Sequence, residues 1–398
     1  MKRVGLVALA VLLLLMAGCA SPSSPNHATG DFRTLTVGMY GFAEMENDLS
    51  AVLEAMNARY PRYIIRIERH DFEPGGFTMD QLSERFVLDL MAGKAEDVVV
   101  FPTWLLNNPV QAIQQGYFEN LTPYLDDSPD FHKEDFYQPL LDTGLIQGKR
   151  YVVPLSFSYS PLITTEAAAK RMGYSADKPF TLDQWRELAV KTREEQGQPL
   201  IYSLVPTASA FYYYTLLSGC PNPCDAAGKT ADFDTPEFRT ALEFMKELHQ
   251  NQGTLEGQSG VAEKAFSQWG GVEWGPLDLY DGVLKHTSFE NFVRYNPEQI
   301  PWLLNYPEMT KGAGDHALVN YVMAINGASK EKQAAGEFCL TALDAKVQEA
   351  ILGDADEKGM WPFTRIPINR TALMAYAKRP LHQVSKALAG SSLLAWIM

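Results

Sequence analysis

Positive charge, cysteine, histidine and long apolar runs are all scarce in this chain of 398 residues. Lys and Arg number 34 against 48 Asp and Glu, a formal net charge of −14. That balance argues against nucleic acid, whose phosphates need basic side chains, and against a polyanion drawn in by long-range attraction. A single anionic group held by a local arginine stays open. The seven histidines are scattered, and no second Cys or His pair stands at zinc spacing, so no metal or cofactor is expected. There is no Gly-x-Ser-x-Gly, no His-Glu-x-x-His and no phosphate-cradling glycine loop. No pair of carboxylates stands out by placement as a glycosidase would require. The expectation is a binding protein rather than an enzyme. Val4 to Met16 is almost wholly apolar, but it is too short to span a bilayer, and no other run comes closer.

That apolar run has another use. Lys2 and Arg3 precede it, and Met16-Ala17-Gly18-Cys19 follows it, the layout of a secretory signal. A cysteine directly after Ala-Gly resembles the bacterial lipobox. The resemblance implies that 1–18 are removed and that Cys19, diacylated, becomes the mature N-terminus. Removing Lys2 and Arg3 takes the charge from −14 to −16. Acyl chains on one residue hold a protein at a membrane without a spanning helix. The expected location is the extracytoplasmic face of the cell membrane. Residues 19–31, rich in Ser, Pro, Asn and Gly, read as a flexible tether. In an oxidising exterior Cys220 and Cys224 read as a local disulfide within a Pro-rich loop, with half a metal site as the rival reading. Cys339 sits on a helical pattern and reads as a buried apolar residue.

The roughly 365 residues beyond the tether are many for one core and suggest two domains. Thr34 to Val37 reads as a strand, Glu46 to Tyr60 as a helix and Tyr63 to Ile67 as a strand. Met79 to Met91 reads as a helix through Leu82, Phe86 and Leu90, and Val98 to Phe101 as a buried strand. This alternation predicts βαβ units and a mostly parallel sheet. Ligands bind outside the carboxyl ends of such strands. Those ends are Tyr40 to Glu44 and Phe101 to Trp104, which predicts one cleft wall. Further helices are expected from Thr181, from Asp234 and, as a pair, across Ala328 to Leu352.

The order of motifs resembles the extracellular solute-binding proteins that include maltose-binding protein. Met91 to Val99 (MAGKAEDVV) resembles the family's "aGkaPDvv", and Gln114 to Leu125 its "qGyLepLtpyl". Gly148 to Pro154 resembles "GkvYgvP", and Phe180 to Leu188 the "TWdEl" helix start. Phe233 to Leu248, Met323 to Val347 and Gly359 to Arg365 follow in the family's order. The resemblance implies an α/β, two-lobed periplasmic-binding-protein fold of type II, with hinged lobes crossed three times. It places an N-lobe at 31–155 plus 306–352 and a C-lobe at 156–305 plus 353–398. It further implies a monomer that captures a small-molecule solute, a sugar first, and delivers it to ABC transporter permease subunits. A glycerol phosphate ester or peptide cargo, or a sensor without transport, are the alternatives. One departure is clear: Leu162 to Glu166 stands where relatives carry a strand ending Tyr-Asn-Lys, so no contact made by that tyrosine is carried over.

A sugar site needs aromatic planes for C–H faces and polar groups for hydroxyl rims, because unmet polar groups in a closed cleft are costly. Tyr40 and Glu44 after the first strand, and Thr103 and Trp104 after the third, are candidates from topology; the rivals are a surface loop and lobe packing. The resemblance adds Ser158 and Tyr159 past the first hinge. Tyr213 belongs to a run of three tyrosines, at least one of which core packing claims. Trp274 and Asp278 flank a stretch similar to the family's "nGpw" loop, with Leu277 where tryptophan is usual. Trp361 and Arg365, one turn apart, could stack on a ligand and hydrogen-bond it; hinge packing is their rival.

Overall fold

The computed structural model describes residues 32–41, 46–71, 77–159, 162–164, 170, 181–196, 201–202, 223–225, 230–251, 284–286, 302–304, 317–357 and 366–378. Residues 1–18, read above as a signal, Cys19 and the stretch to residue 31, read as a tether, lie outside them, as does Cys220 and hence the expected pairing with Cys224. Cys224 occupies an exposed position opposite Ala231 in a two-stranded ribbon.

The first half of the chain alternates strand and helix as its periodicity predicts. Strands β1 (Arg33–Gly41), β2 (Tyr63–Asp71) and β3 (Val98–Pro102) are separated by helices α1 (Glu46–Arg59) and α2 (Met79–Met91). Short helices α3 (Pro109–Gln114) and α4 (Gln138–Leu141) lead to the hairpin β4 (Leu145–Ile146) and β5 (Lys149–Arg150), then to β6 (Val153–Tyr159). After β7 (Leu162–Thr164) come α5 (Leu182–Gln196), β8 (Ile201–Tyr202), β9 (Cys224–Asp225), β10 (Thr230–Ala231), α6 (Pro236–Asn251), β11 (Leu284–His286) and β12 (Trp302–Leu304). The chain closes with β13 (Ala317–Ile325), α7 (Lys332–Ala342), α8 (Ala345–Glu357), β14 (Ile366–Pro367) and α9 (Arg370–Ala377).

Six strands form the main sheet in the order β14-β6-β13-β3-β1-β2. β1 pairs in parallel with β2 and β3, while β13 runs against both β3 and β6, and β14 against β6. Thus β1, β2, β3 and β6 point one way. Their carboxyl ends share one edge of the sheet with the amino end of β13. A second sheet, β12-β7-β11-β8, holds the middle of the chain. The chain passes to it between β6 and β7 and returns between β12 and β13.

β3 (VVVFP) is buried on both faces, so it reads as a continuous apolar run. Val98 and Val100 join Val37 and Met39 beneath α1, with Val52, Met56 and Phe338. Val99 and Phe101 join Leu82, Phe86 and Leu90 of α2 on the other face. Thr78 opens α2 with a reciprocal cap: its hydroxyl accepts from the Gln81 amide while the Gln81 side chain accepts from the Thr78 amide. Cys339 is fully buried within α7, as expected, and burial pushes its thiol up to about 12.

One boundary is corrected. β14 pairs with β6, Ile366 opposite Phe157, and α9 packs on α8, so residues 366–377 build onto the main sheet rather than a C-lobe beginning at 353. Ile366, Ile368 and Leu373 belong to the same core as Val37 and Phe338, and that apolar burial holds the segment there.

Polar groups join segments far apart in sequence. The Asp97 carboxylate accepts from the Thr36 amide at 2.9 Å, the Thr36 hydroxyl at 2.7 Å and the Ser329 hydroxyl at 2.7 Å. The Asn326 amide donates to the Asp97 carbonyl at 3.0 Å, and the Asn326 side chain donates to the Ala95 carbonyl. Next to it, Gly327 comes so close to the 116–117 turn that a Cβ would stand 2.2 Å from the Gly116 carbonyl oxygen. Arg150, 1 % exposed, makes a fork with Asp126 at 2.9 and 3.1 Å and also donates to the Leu141 carbonyl.

Replacing Asp97 with Ala leaves two donors of Thr36 and one of Ser329 without their acceptor. A loss of about 3 kcal/mol or more is expected. Asp97→Asn, which keeps one oxygen, should lose less. Urea unfolding midpoints at unchanged slope check both.

Candidate functional site

The carboxyl edge of the main sheet gathers the two cleft segments that the sequence nominates and the structure describes. β3 ends at Pro102, and Thr103–Leu105 turn at once into a single 3-10 turn. That turn is pinned from both sides. The Thr103 hydroxyl donates to the Val319 carbonyl at 3.0 Å, and the Ser83 hydroxyl of α2 donates to the Leu105 carbonyl at 2.7 Å. Leu105 and Leu106 are buried beneath it. Between the anchors Trp104 stays 40 % exposed, a large indole on a fixed backbone at the mouth of the sheet. Ser158 and Tyr159 end β6 at the same edge, opposite Leu318 and Ala317 of β13. The structure therefore puts these two nominated pairs on one edge, with β13 between them.

Tyr40 is corrected. It lies inside β1, not in a loop, and it is fully buried. Its ring stacks on His70 at 4.2 Å between centroids and packs against Phe86 at 4.5 Å. It turns back along the strand over Gly38, where a Cβ would meet both the Tyr40 ring and the Glu96 carboxylate. Its hydroxyl donates to Glu96 Oε2 at 3.0 Å, and His70 Nε2 lies 2.8 Å from Glu96 Oε1. The physical reason is register. β2 pairs with β1 as far as Gly41 opposite Asp71, so the strand continues past the point where the sequence suggested a loop. Tyr40 supports the edge from within, its ring and hydroxyl taken up by His70, Phe86 and Glu96. Burial, then the Glu96 charge, raises its phenol well above the ordinary value. Burial alone would raise the Glu96 carboxyl, but the His70 and Tyr40 hydrogen bonds outweigh it and hold that carboxyl below its usual range.

Sequence reading missed His70 and Glu96. The one available signal was Gly38, two residues before Tyr40 on the same strand face, a gap into which a ring can fold. Glu44, Tyr213, Trp274, Asp278, Trp361 and Arg365 lie outside the described residues. Among the described residues no cluster of His, Cys, Asp and Glu has a metal site's composition.

Residues 72–349 match the family model described as bacterial extracellular solute-binding protein, most of the chain. The chain belongs to that family. Solute-binding proteins are also what the fold is similar to among solved structures. The sugar-binding protein MalE from Xanthomonas citri superposes with a TM-score of 0.65 at 17 % identity, over 90 % of this chain and 86 % of that one. An ABC substrate-binding protein from Listeria monocytogenes, in complex with cycloalternan, gives 0.58 at 15 %, over 90 % and 87 %. An ABC transporter solute-binding protein from Thermotoga lettingae, bound with α-D-tagatose, gives 0.56 at 17 %, over 92 % and 86 %. At such identities the likeness is one of fold. No curated protein sequence matches the chain.

The lowered carboxyl of Glu96 predicts a contribution to stability that depends on pH. Because the folded carboxyl of Glu96 titrates below its ordinary 4.5, its stabilisation is complete above that value and is lost as pH falls through the lowered one. Urea midpoints followed from about pH 7 to about pH 3 should fall more steeply for the parent than for Glu96→Gln. The two curves should draw together at the acid end.

Proposed function

We propose that this solute-binding protein captures a carbohydrate, a mono- or oligosaccharide, at the carboxyl edge of its main sheet and presents it to an ABC importer. The observation that carries the reading is Trp104: an exposed indole, held rigidly where ligands of such sheets bind. An aromatic plane suits the apolar C–H face of a sugar, and a pinned backbone means that little freedom is lost on binding. The neighbours whose printed names mention a sugar support the class of cargo without naming which one.

Ser158 and Tyr159 at the same edge, with Glu44, Tyr213, Trp274, Asp278, Trp361 and Arg365, are the other contacts we propose. Closure of two lobes about the three crossings would bring the opposing groups onto the ligand. The permease subunits are the partners, and the protein works as a monomer without catalysis, metal or cofactor. The lipobox-like segment supports anchoring through Cys19 on the extracytoplasmic face. Among the described residues no helix is long and apolar enough to cross a membrane.

A thermal-shift screen of the chain from Ala20 onward against saccharides, sugar phosphates and peptides tests this. A ligand at a hundredfold its Kd should add about 2.7 kcal/mol of stability. A shift with one saccharide class supports the reading; shifts with sugar phosphates or peptides alone overturn the sugar. Trp104→Ala should weaken saccharide binding by roughly tenfold or more, with the unliganded fold kept, because Trp104 belongs to neither buried core cluster. Small-angle scattering at saturating ligand should show compaction.

A further inference from the structure

The carboxyl edge contains a break in the β-ladder between its two nominated segments. Along β13, Leu318 stands opposite Ser158 and Val319 opposite Phe157, but the next pair is Tyr321 with Ser156. Asn320 is passed over. The following pair is Val322 with Pro154, so on β6 Leu155 is passed over in turn. The two excursions cancel, and Met323 opposite Val153 keeps the register of Val319 opposite Phe157. A bulge that shifts register serves the pairing of strands. This one leaves register unchanged on both sides, so what it alters is the local backbone at Asn320. Bulges of this kind re-aim a side chain and are frequent beside functional sites.

The residue so treated is the one carboxamide in β13, Ala317-Leu-Val-Asn-Tyr-Val-Met-Ala-Ile325; the strand's other polar group, the Tyr321 phenol, belongs to a buried residue. From Tyr321 to Ile325 the strand is buried, whereas Asn320 is partly exposed. It also sits at the right height. Tyr321 opposite Pro102 is the last pair between β13 and β3, so Asn320 lies level with Thr103. The Thr103 hydroxyl bonds the carbonyl of Val319, the peptide that leads into Asn320. One interstrand spacing, about 5 Å, separates this position from Thr103 on one side and from the Ser156–Phe157 stretch of β6 on the other, a few residues before that strand ends. The residue next to Thr103 is Trp104.

We propose that Asn320 is a specificity-determining ligand contact, its carboxamide hydrogen-bonding a pair of adjacent sugar hydroxyls whose C–H face rests on Trp104. A carboxamide carries an acceptor and two donors side by side. Neighbouring hydroxyls each donate and accept, so a vicinal diol can satisfy both ends at once. This deepens the carbohydrate reading and rests on it. Sequence pattern alone shows Asn320 as an oddity within an apolar run; only the ladder shows that the strand breaks its pairing there.

Isothermal titration of the parent, Asn320→Ala and Asn320→Leu with maltotriose, raffinose and D-tagatose tests the proposal, with thermal unfolding of each unliganded protein alongside. The Leu variant keeps nearly the shape and removes both the donors and the acceptor, so it guards against a packing defect in the Ala variant. Expected is binding weakened about tenfold or more in both variants, with unliganded melting within about 2 °C of the parent. Parent-like binding by both variants overturns the assignment of Asn320 and leaves the sugar reading intact. Lower melting with unchanged affinity also overturns it, by showing a purely structural amide. If the parent binds none of the three while phosphates or peptides shift it in the screen, the sugar reading fails and this assignment falls with it.

Discussion

Much of the main lobe hangs on one carboxylate. Asp97 stands at the entrance to β3 and accepts three hydrogen bonds, two from Thr36 in β1 and one from Ser329 beyond β13. These donors come from two segments nearly three hundred residues apart. Because the chain leaves this lobe after β6 and returns at β13, the central strand of the sheet is supplied late. An apolar strand could slide along its neighbour at little cost; a partly buried carboxylate with fixed donors cannot. Asp97 therefore sets where β13 sits against β3, and through β13 where β6 sits. Gly327, against the Gly116 carbonyl, allows the turn after β13 to approach closely enough for those bonds to form. Three exposed ion pairs, Arg33–Glu331, Arg59–Asp344 and Arg62–Glu337, join the same two segments at the surface. Exposed pairs of that kind are each worth little, so they follow the alignment rather than create it.

The edge proposed for the ligand inherits this alignment. Trp104 is placed by Thr103, and Thr103 is placed by a carbonyl of β13. If β13 moved by one residue, the turn after β3 would lose its anchor and the β6 end would shift with it. Beneath the edge, Tyr40, His70 and Glu96 fill the space left by Gly38, so the strands carrying the edge rest on paired polar groups and stacked rings. The arrangement joins a stiff base to a rim of partly exposed side chains. That suits a binder whose affinity depends on losing little freedom when the ligand arrives.

How much of this was legible in the sequence depends on whether the cause is local. The strands and helices from β1 to β3 were, because alternation and the 3.6-residue period report burial on one face. Their ends were not: β1 runs to Gly41 and β2 to Asp71 because each extends the other, and that mutual pairing turned Tyr40 from a loop residue into core. β14 was missed for the same reason. Ile366 and Pro367 are too short to show a pattern, and they become a strand only because β6 offers an open edge. Thr103 and Trp104 could be nominated because a short buried apolar run ends just before them, which marks the carboxyl end of a parallel strand. Asn320 escaped because a bulge is a relation between two strands and has no signature in either alone.

The motifs that marked the family have a common physical character. MAGKAEDVV contributes Ala95 and Asp97, QGYFENL contributes the Gly116 carbonyl, and GKRYVVP contributes Arg150 with its buried fork to Asp126. Each supplies a polar group or a close approach in the interior, where few residue types fit and a wrong one is costly. A buried donor or acceptor must be met by a partner of fixed position, so such stretches constrain one another across the whole fold. The edge proposed to face the ligand is under a different constraint: its polar groups would answer to the cargo, and many arrangements of aromatic and amide can meet some solute. That is why this chain states its family through residues that never need to touch a ligand, while Trp104 and Asn320, where the cargo would be chosen, are visible only once the strands are laid side by side.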